Sequence, residues 1–271
     1  MKIKYKNKKY IRKKKKKIQL KNETRQLKIT IAIQCFLFEK RLNWMLSSIL
    51  QQTGILPEIE VDIAYLKNSG NPETTDVLDY FESEGLKIKR HEYPDISRLQ
   101  YRGLTRNDQI KDCNTDFILF SDGDHVHCVS FFAEMNKLLL NEFKNCITIM
   151  GYKRKSTFSK ETEELINGHT YPNNILDAFV KASKLKYRKM PFRCGGGTHL
   201  VSTELIREKN CGLYVPEDKC RDFNWEKRYA CAKSDMYFRK KIKCCHIPLP
   251  RVVHLQHVRS RDNKENLYIQ K

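Results

Sequence analysis

The chain has 271 residues, 40% of them hydrophobic, and a formal net charge of +20. That length suits one large domain or two small ones, with enough apolar residues for a core. No apolar run approaches the roughly 20 residues of a membrane-spanning helix. The basic first 28 residues lack the apolar stretch of a secretory signal, so a cytoplasmic protein is expected.

Residues 1–28 hold 14 Lys or Arg against Glu23 alone, a surplus of +13 that leaves only +7 for the rest. The block Lys13 to Lys17 repels itself, and residues 1–27 are expected to form a disordered basic tail. Such a tail binds nucleic acid or an anionic membrane surface, or serves only as a solubilising extension. Lys28 to Phe38 reads as a buried strand, rich in β-branched and apolar residues. Arg41 to Gln52 has apolar residues at 42, 45, 46, 49 and 50, which is helical spacing, and Gly54 and Pro57 close it. Glu58 to Leu66 is a second strand. Glu73 to Glu84 is a second helix stopped by Gly85. Leu86 to Tyr93 is a third strand, Thr105 to Cys113 a helix, and Asp116 to Ser121 a fourth strand. This alternation predicts parallel βαβ units.

Beyond Ser130 the pattern loosens. Phe131 to Phe143 reads as a helix and Cys146 to Tyr152 as a strand, while residues 153–193 are polar and ambiguous. Asp235 to Ile242 reads as a helix with Asp235 at its N-terminus, as a cap or, facing a cleft, a general base. Arg251 to Val258 reads as a final strand carrying His254 and His257. Ten cysteines form no CxxC pair, and buried reduced thiols are expected. A zinc site from Cys220, Cys231, Cys244 and His246 fits no common ligand spacing.

The chemistry concentrates in Ser121-Asp122-Gly123-Asp124-His125. Two carboxylates one residue apart stand where an apolar strand opens into a loop, and in extended chain they point to one side. They repel each other unless a cation or a bound ligand sits between them. A divalent ion carrying a nucleotide diphosphate meets that need, and ligands of open α/β sheets bind beyond the carboxyl ends of the strands. A surface turn is the alternative, since Asp and Gly favour turns. His257, followed by a polar loop, is the better imidazole ligand and His254 the second. Imidazole with carboxylate suits manganese more than calcium. Gly195, Gly196 and Gly197 allow close approach of a sugar or phosphate, or form a loose loop. GxGxxG and Walker A patterns are absent.

In this order, the segments resemble GT-A-fold glycosyltransferases over roughly residues 28–265. The N-terminal half resembles family-two enzymes in its first strand and helix, in Arg106-Asn107, and in Phe117 to Asp124, which is similar to their strand ending in a DxD motif. The C-terminal half resembles the β-1,4-galactosyltransferase and polypeptide N-acetylgalactosaminyltransferase groups in Cys194 to Gly197, in Ser234 to Arg239 and in His254 to Asp262. The resemblance implies an α/β GT-A (Rossmann-like) mixed sheet flanked by helices in a single domain. Residues 28–125 would bind the nucleotide sugar and 126–265 the acceptor, with 266–271 a tail.

It also implies roles. Gln34 and Phe36 would meet the nucleotide base, with Arg106, Gly195 and Gly196 also on the donor. Asp122 would contact the ribose and the metal. Asp124, His257 and His254 would hold Mn2+ or Mg2+. Asp235 would deprotonate the acceptor hydroxyl on a glycan, protein or lipid, with a pKa raised by its cleft, giving an inverting transfer from a UDP-sugar. The second strand ends without the paired acids that often recognise uracil, and Ser234 replaces the usual acid before Asp235. Glu226 and Asp222 stand as alternative bases, and Trp225 as an aromatic that stacks on sugar or packs. A nucleic-acid-binding protein acting through its tail, or a non-catalytic sugar binder, is the rival reading.

Overall fold

The core strand is β1, Lys28–Cys35, and it is buried along almost its whole length because it is covered on both faces. Ile29, Ile31 and Ile33 point to one side, against Leu42, Met45 and Ile49 of α1 (Glu39–Leu50). Ala32 points to the other, where Ile118, Phe120 and Phe238 lie. A near-continuous apolar run is what a parallel strand between two helical layers requires. The computed structural model describes residues 26–69, 73–141, 148–150, 152–189, 197–221, 230–242 and 249–256.

From β1 and α1 the chain runs through β2 (Glu58–Leu66), α2 (Thr74–Ser83), β3 (Ile88–Tyr93), the single turn α3 (Ile96–Leu99), α4 (Arg102–Lys111) and β4 (Phe117–Asp122). It continues through β5 (His125–His127), α5 (Phe131–Asn141), β6 (Thr148–Met150), β7 (Tyr152–Thr157), α6 (Ser159–Asn167), α7 (Ala178–Lys184) and β8 (Tyr187–Lys189). It ends with β9 (Thr198–Ser202), α8 (Thr203–Asn210), α9 (Glu217–Cys220), α10 (Ala230–Lys241) and β10 (Leu249–His254). The expected βαβ alternation is present: β3, β2, β1 and β4 are neighbours in that order, all parallel. β9 then pairs antiparallel with β4 and β6, so the six-stranded sheet is mixed. The stop after α2 is as expected. Gly85 has φ +97°, its N–H reaches the Glu82 carbonyl and the Leu86 N–H reaches that of Phe81, which closes the helix C-terminus.

Several expectations change. The first strand stops at Cys35, because Leu37 turns the chain with φ +54°. The helix expected to begin at Asp235 begins at Ala230, so Asp235 is an interior residue and not a cap. The final strand ends at His254. The stretch 153–193, ambiguous in sequence, holds most of β7 together with α6, α7 and β8. A second, four-stranded sheet, β5-β10-β7-β8, forms there.

Polar side chains of α1 attach this second layer. Ser47 Oγ accepts from Ile175 N at 3.0 Å, Asn43 Oδ1 from Asn173 N at 3.3 Å and Ser48 Oγ from His127 N at 3.0 Å. Trp44 donates from Nε1 to Tyr171 Oη at 3.0 Å. A hydrogen-bonded polar group is tolerated in a buried helix, and here each one positions an otherwise weakly patterned segment. No helix among the described residues is long and apolar enough to cross a membrane.

α4 is tied to the sheet through Gln109, whose Nε2 donates to Ile33 O at 3.0 Å and to Asp62 O and Oδ1 at 2.9 and 3.0 Å. The buried Asp62 is met from the other side by His91 Nε2 at 3.1 Å. Burial pulls the His91 pKa down, but the hydrogen bond and charge of Asp62 outweigh it and raise the imidazole above its ordinary value. A raised histidine adds stability that is complete below the unfolded value of about 6.5 and lost as pH rises through the folded value. His91→Gln should therefore lower Tm most near pH 5.5, and the gap to the unmodified chain should narrow above neutrality. Thermal unfolding between pH 5.5 and 8.5 checks this, and a gap that widened with pH would contradict it.

Candidate active site

β4 delivers the Asp pair to the carboxyl edge of the sheet. Its parallel register with β1 sets Ser121 beside Ile33 and Asp122 beside Gln34. Asp122 is the last strand residue, and its N–H donates to Gly197 O at 2.8 Å. Gly123 and Asp124 make the turn into β5, and Leu255 N donates to the Asp124 carbonyl at 2.8 Å. The two carboxylates thus do not share an extended segment, and they face different partners. Asp122 keeps a third of its side chain exposed and lies 3.5 Å from Arg102 Nη2. Asp124 is buried, with Oδ2 3.1 Å from His254 Nε2 and Oδ1 3.9 Å from His125 Nε2. Crowding by protein raises the Asp122 pKa; Arg102 opposes that and the Asp124 charge adds to it.

A cleft of about 180 Å³ opens here, lined by Gln34, Phe38, Arg102, Arg106, Asp122 and Asp124 among others. A slightly larger hollow, about 210 Å³, opens at the opposite end of β1 and β2. Its charged residues largely pair with one another, Lys28 with Glu58 at 3.2 Å and Lys89 with Asp112 at 3.6 Å. The first holds the Asp pair at the end of β4, with His254 against Asp124.

Asp235 enters from α10 and is buried beside the same cleft. Arg106 Nη1 donates to its Oδ1 at 2.7 Å, and Tyr214 Oη donates to the same atom at 2.7 Å. Arg102 Nη1 lies 3.7 Å from Oδ2. Arg106 also donates to Tyr214 Oη at 2.6 Å, and its guanidinium lies over the rings of Phe120 and Tyr214, 4.8 and 4.6 Å from their centroids. Tyr214 stacks on Phe238 at 4.3 Å. Asn107 accepts at Oδ1 from Tyr214 N and Val215 N, at 2.6 and 3.2 Å, and donates to Val215 O at 2.7 Å. The Arg-Asn pair on α4 therefore fixes both Asp235 and the segment carrying Tyr214.

This environment corrects one expectation. Burial pushes the Asp235 carboxyl up, but Arg106 first and Arg102 second outweigh it, with His199 and the Tyr214 hydroxyl helping, and hold it below the ordinary carboxylate value. It is not raised. Burial pushes the Tyr214 phenol well above its usual range, so Tyr214 stays protonated as a donor.

Of the residues expected to act together, Gln34, Arg106, Asp122, Asp124, Asp235 and His254 do surround one cleft or its immediate wall. Gln34 Nε2 donates to Leu99 O. Phe36 lies half-buried in the turn after β1. Gly195, Gly196, His257, Asp222, Trp225 and Glu226 lie outside the described residues, as do Cys244 and His246 of the zinc alternative. Cys220 is buried, and burial pushes its thiol up to about 12, which does not favour a metal-binding thiolate. Sequence reasoning passed over Arg102, His125 and Tyr214. Arg102 stands one helical turn before Arg106, a spacing that puts both on one face, and His125 directly follows the Asp pair. Tyr214 carries no such signal.

The residues present fit a divalent cation. One carboxylate and two imidazoles, all buried, offer ligand atoms within 4.8 Å of one another at Asp124, His125 and His254. Such a mixed oxygen and nitrogen set suits a first-row ion.

The sequence matches no protein-family model and no curated protein. The structure does resemble solved ones. TarS of S. aureus aligns over 84% of this chain and 35% of its own, at 15% identity and a TM-score of 0.53. TarS 1-349 in complex with UDP-GlcNAc aligns over 86% of this chain and 57% of its own, at 14% identity and a TM-score of 0.51. The mannosyltransferase PcManGT from Pyrobaculum calidifontis, in complex with GDP-Man and Mn2+, aligns over 87% and 59%, at 12% identity and a TM-score of 0.53. The chain thus spans less than two thirds of the length of each of these structures. At these identities the likeness is one of fold: a mixed α/β sheet flanked by helices, as in GT-A-like glycosyltransferases. None of the three is described as a β-1,4-galactosyltransferase or a polypeptide N-acetylgalactosaminyltransferase.

Removing one member of a buried ion pair leaves the other charge uncompensated and costs about 3–5 kcal/mol. Arg106→Met should destabilise the chain by about that amount in urea unfolding, and adding Asp235→Asn should recover part of the loss. Asp235 alone gives a second readout. Its lowered pKa adds stability above about pH 4 that is lost as pH falls through the folded value, so Asp235→Asn should flatten the acid limb of the stability profile.

Proposed function

We propose that the chain is a metal-dependent inverting glycosyltransferase. It moves a hexose or an N-acetylhexosamine from a nucleotide diphosphate sugar to a hydroxyl on a glycan, protein or lipid-linked acceptor. The observation that carries this is the Asp122-Gly123-Asp124 turn at the carboxyl end of β4, opening on a cleft with Asp124 against His254. Support for the donor comes from similar folds: TarS 1-349 in complex with UDP and with UDP-GlcNAc, and the mannosyltransferase with GDP-Man and Mn2+. A UDP-sugar with Mn2+ or Mg2+ is the proposed donor and ion.

Asp124 and His254 would hold the ion, which when bound supplies Lewis-acid neutralisation of the diphosphate leaving group. Asp122 would hold the ribose, and Gln34 and Phe36 the base. Arg102, shared between Asp122 and Asp235, is the cation in reach of an incoming diphosphate. Asp235 would act as base through Oδ2, since Oδ1 already accepts from Arg106 and Tyr214. A carboxylate held below its ordinary pKa takes a proton late. The acceptor hydroxyl becomes acidic as its oxygen bonds to the anomeric carbon, and transfer then runs downhill. The free thiols of Cys35, Cys113, Cys128, Cys211 and Cys220 suit a cytoplasmic location. There the basic tail would dock the enzyme on an anionic membrane surface.

A thermal-shift screen of UDP, GDP and their sugars, with and without MnCl2, tests the reading. A bound nucleotide at about 100 times its Kd adds about 2.7 kcal/mol, and this should appear only with the metal. Asp124→Ala should abolish the metal-linked shift. Asp235→Asn should keep it while transfer falls at least about 100-fold. Absence of any metal-linked stabilisation would sink the proposal.

A further inference from the structure

We propose that His125 is a third protein ligand, with Asp124 and His254, of a divalent metal site that is complete without nucleotide and selects manganese, cobalt or zinc over magnesium. The inference rests on the metal in the transferase reading and goes beyond it in the ligand, the order of binding and the choice of ion.

Strand pairing makes the site. β5 and β10 run antiparallel with His125 directly opposite His254, and directly opposed residues project to the same face. Their rings lie 5.5 Å apart at 74°. Each ring is oriented by a hydroxyl from another strand: His125 Nδ1 lies 2.7 Å from Thr198 Oγ1 of β9, and His254 Nδ1 lies 3.0 Å from Ser156 Oγ of β7. Both hydroxyl protons are directed elsewhere, Thr198 donating to Gly197 O at 2.7 Å and Ser156 to Gln256 Oε1 at 3.2 Å. Each hydroxyl therefore accepts from its histidine, which puts the ring proton on Nδ1.

Both Nε2 atoms face Asp124, one at each carboxylate oxygen. A divalent cation placed among one carboxylate and two imidazole nitrogens would draw on all three. Hydroxyl-oriented imidazoles around a carboxylate are also how protein metal sites hold their ligands. Ligand atoms about 2.1 Å from one ion stand about 3.0–3.5 Å apart. The present atoms lie within 4.8 Å of one another, so they need draw together by little more than about 1 Å to share one ion. Two imidazoles to one carboxylate favour manganese, cobalt or zinc over the harder magnesium, which prefers oxygen.

The test is titration of the chelator-treated full chain with Co2+, read by visible absorption, with Mn2+ and Mg2+ as competitors and no nucleotide present. One equivalent should bind, with Mn2+ competing at least tenfold better than Mg2+. His125→Ala should weaken binding by about 100-fold and change the Co2+ spectrum. Thr198→Val keeps the ring and removes its hydroxyl, and should cost about 10-fold; it carries the test should His125→Ala fail to fold by circular dichroism. An unchanged affinity and spectrum in a folded His125→Ala chain would overturn the assignment. So would Co2+ binding only after UDP is added, an outcome that leaves the transferase reading standing. Tight His125-dependent binding with no nucleotide effect would instead uphold the site and remove the transferase reading.

Discussion

The buried pair of Arg106 and Asp235 sets one wall of the cleft. A carboxylate taken out of water needs compensation by charge and hydrogen bonds, and Asp235 receives both from one guanidinium and one phenol. Arg106 can serve only because it is itself held, between the rings of Phe120 and Tyr214. That stack joins strand β4, helix α4, the segment before α9 and helix α10 in a single contact. Gln109, one turn further along α4, ties the same helix to β1 and β2. The position of Asp235 is therefore set by the sheet through α4, although the two are far apart in the chain.

The other wall is built differently. Asp124 sits in the turn that leaves the main sheet, and His254 arrives on a strand of the second sheet. What joins them is backbone register between β5 and β10, reinforced by the Leu255 N–H on the Asp124 carbonyl. Register is a stringent constraint, because a slip of one residue would send every side chain to the opposite face. The buried row Val126, Val253 and Leu255, packed on Trp44 and Ile175, specifies it.

This difference explains what the chain disclosed in advance. From β1 to β4 most elements carry an apolar period, so the strands and longer helices were legible to within a few residues, and the Asp pair with them, although the single turn α3 was not. Beyond β5 the strands are short and paired across long sequence separations. Nothing local in Tyr152–Thr157 announces a strand, since β10 and β8 complete it. Asp235 was misplaced at a helix start because Ala230 to Ser234 lacks an apolar period. The environment of its carboxyl comes from Arg106 and Tyr214, more than a hundred and about twenty residues away in sequence.

Two carboxylates share Arg102 yet are driven in opposite directions, Asp122 up and Asp235 down. Arg102 cannot produce that asymmetry, since it lies 3.5 Å from one and 3.7 Å from the other. Arg106 produces it, by bonding Asp235 alone at close range. Asp122 faces Asp124 as well, and remains the less compensated anion of the two. A cation at Asp124 would remove that repulsion and lower Asp122, and a diphosphate in the cleft would then compete for Arg102. Asp235 would keep its Arg106 and Tyr214 contacts throughout. In the proposed transfer, Asp235 would therefore be oriented by contacts that do not depend on Arg102, whether or not a donor occupied the cleft.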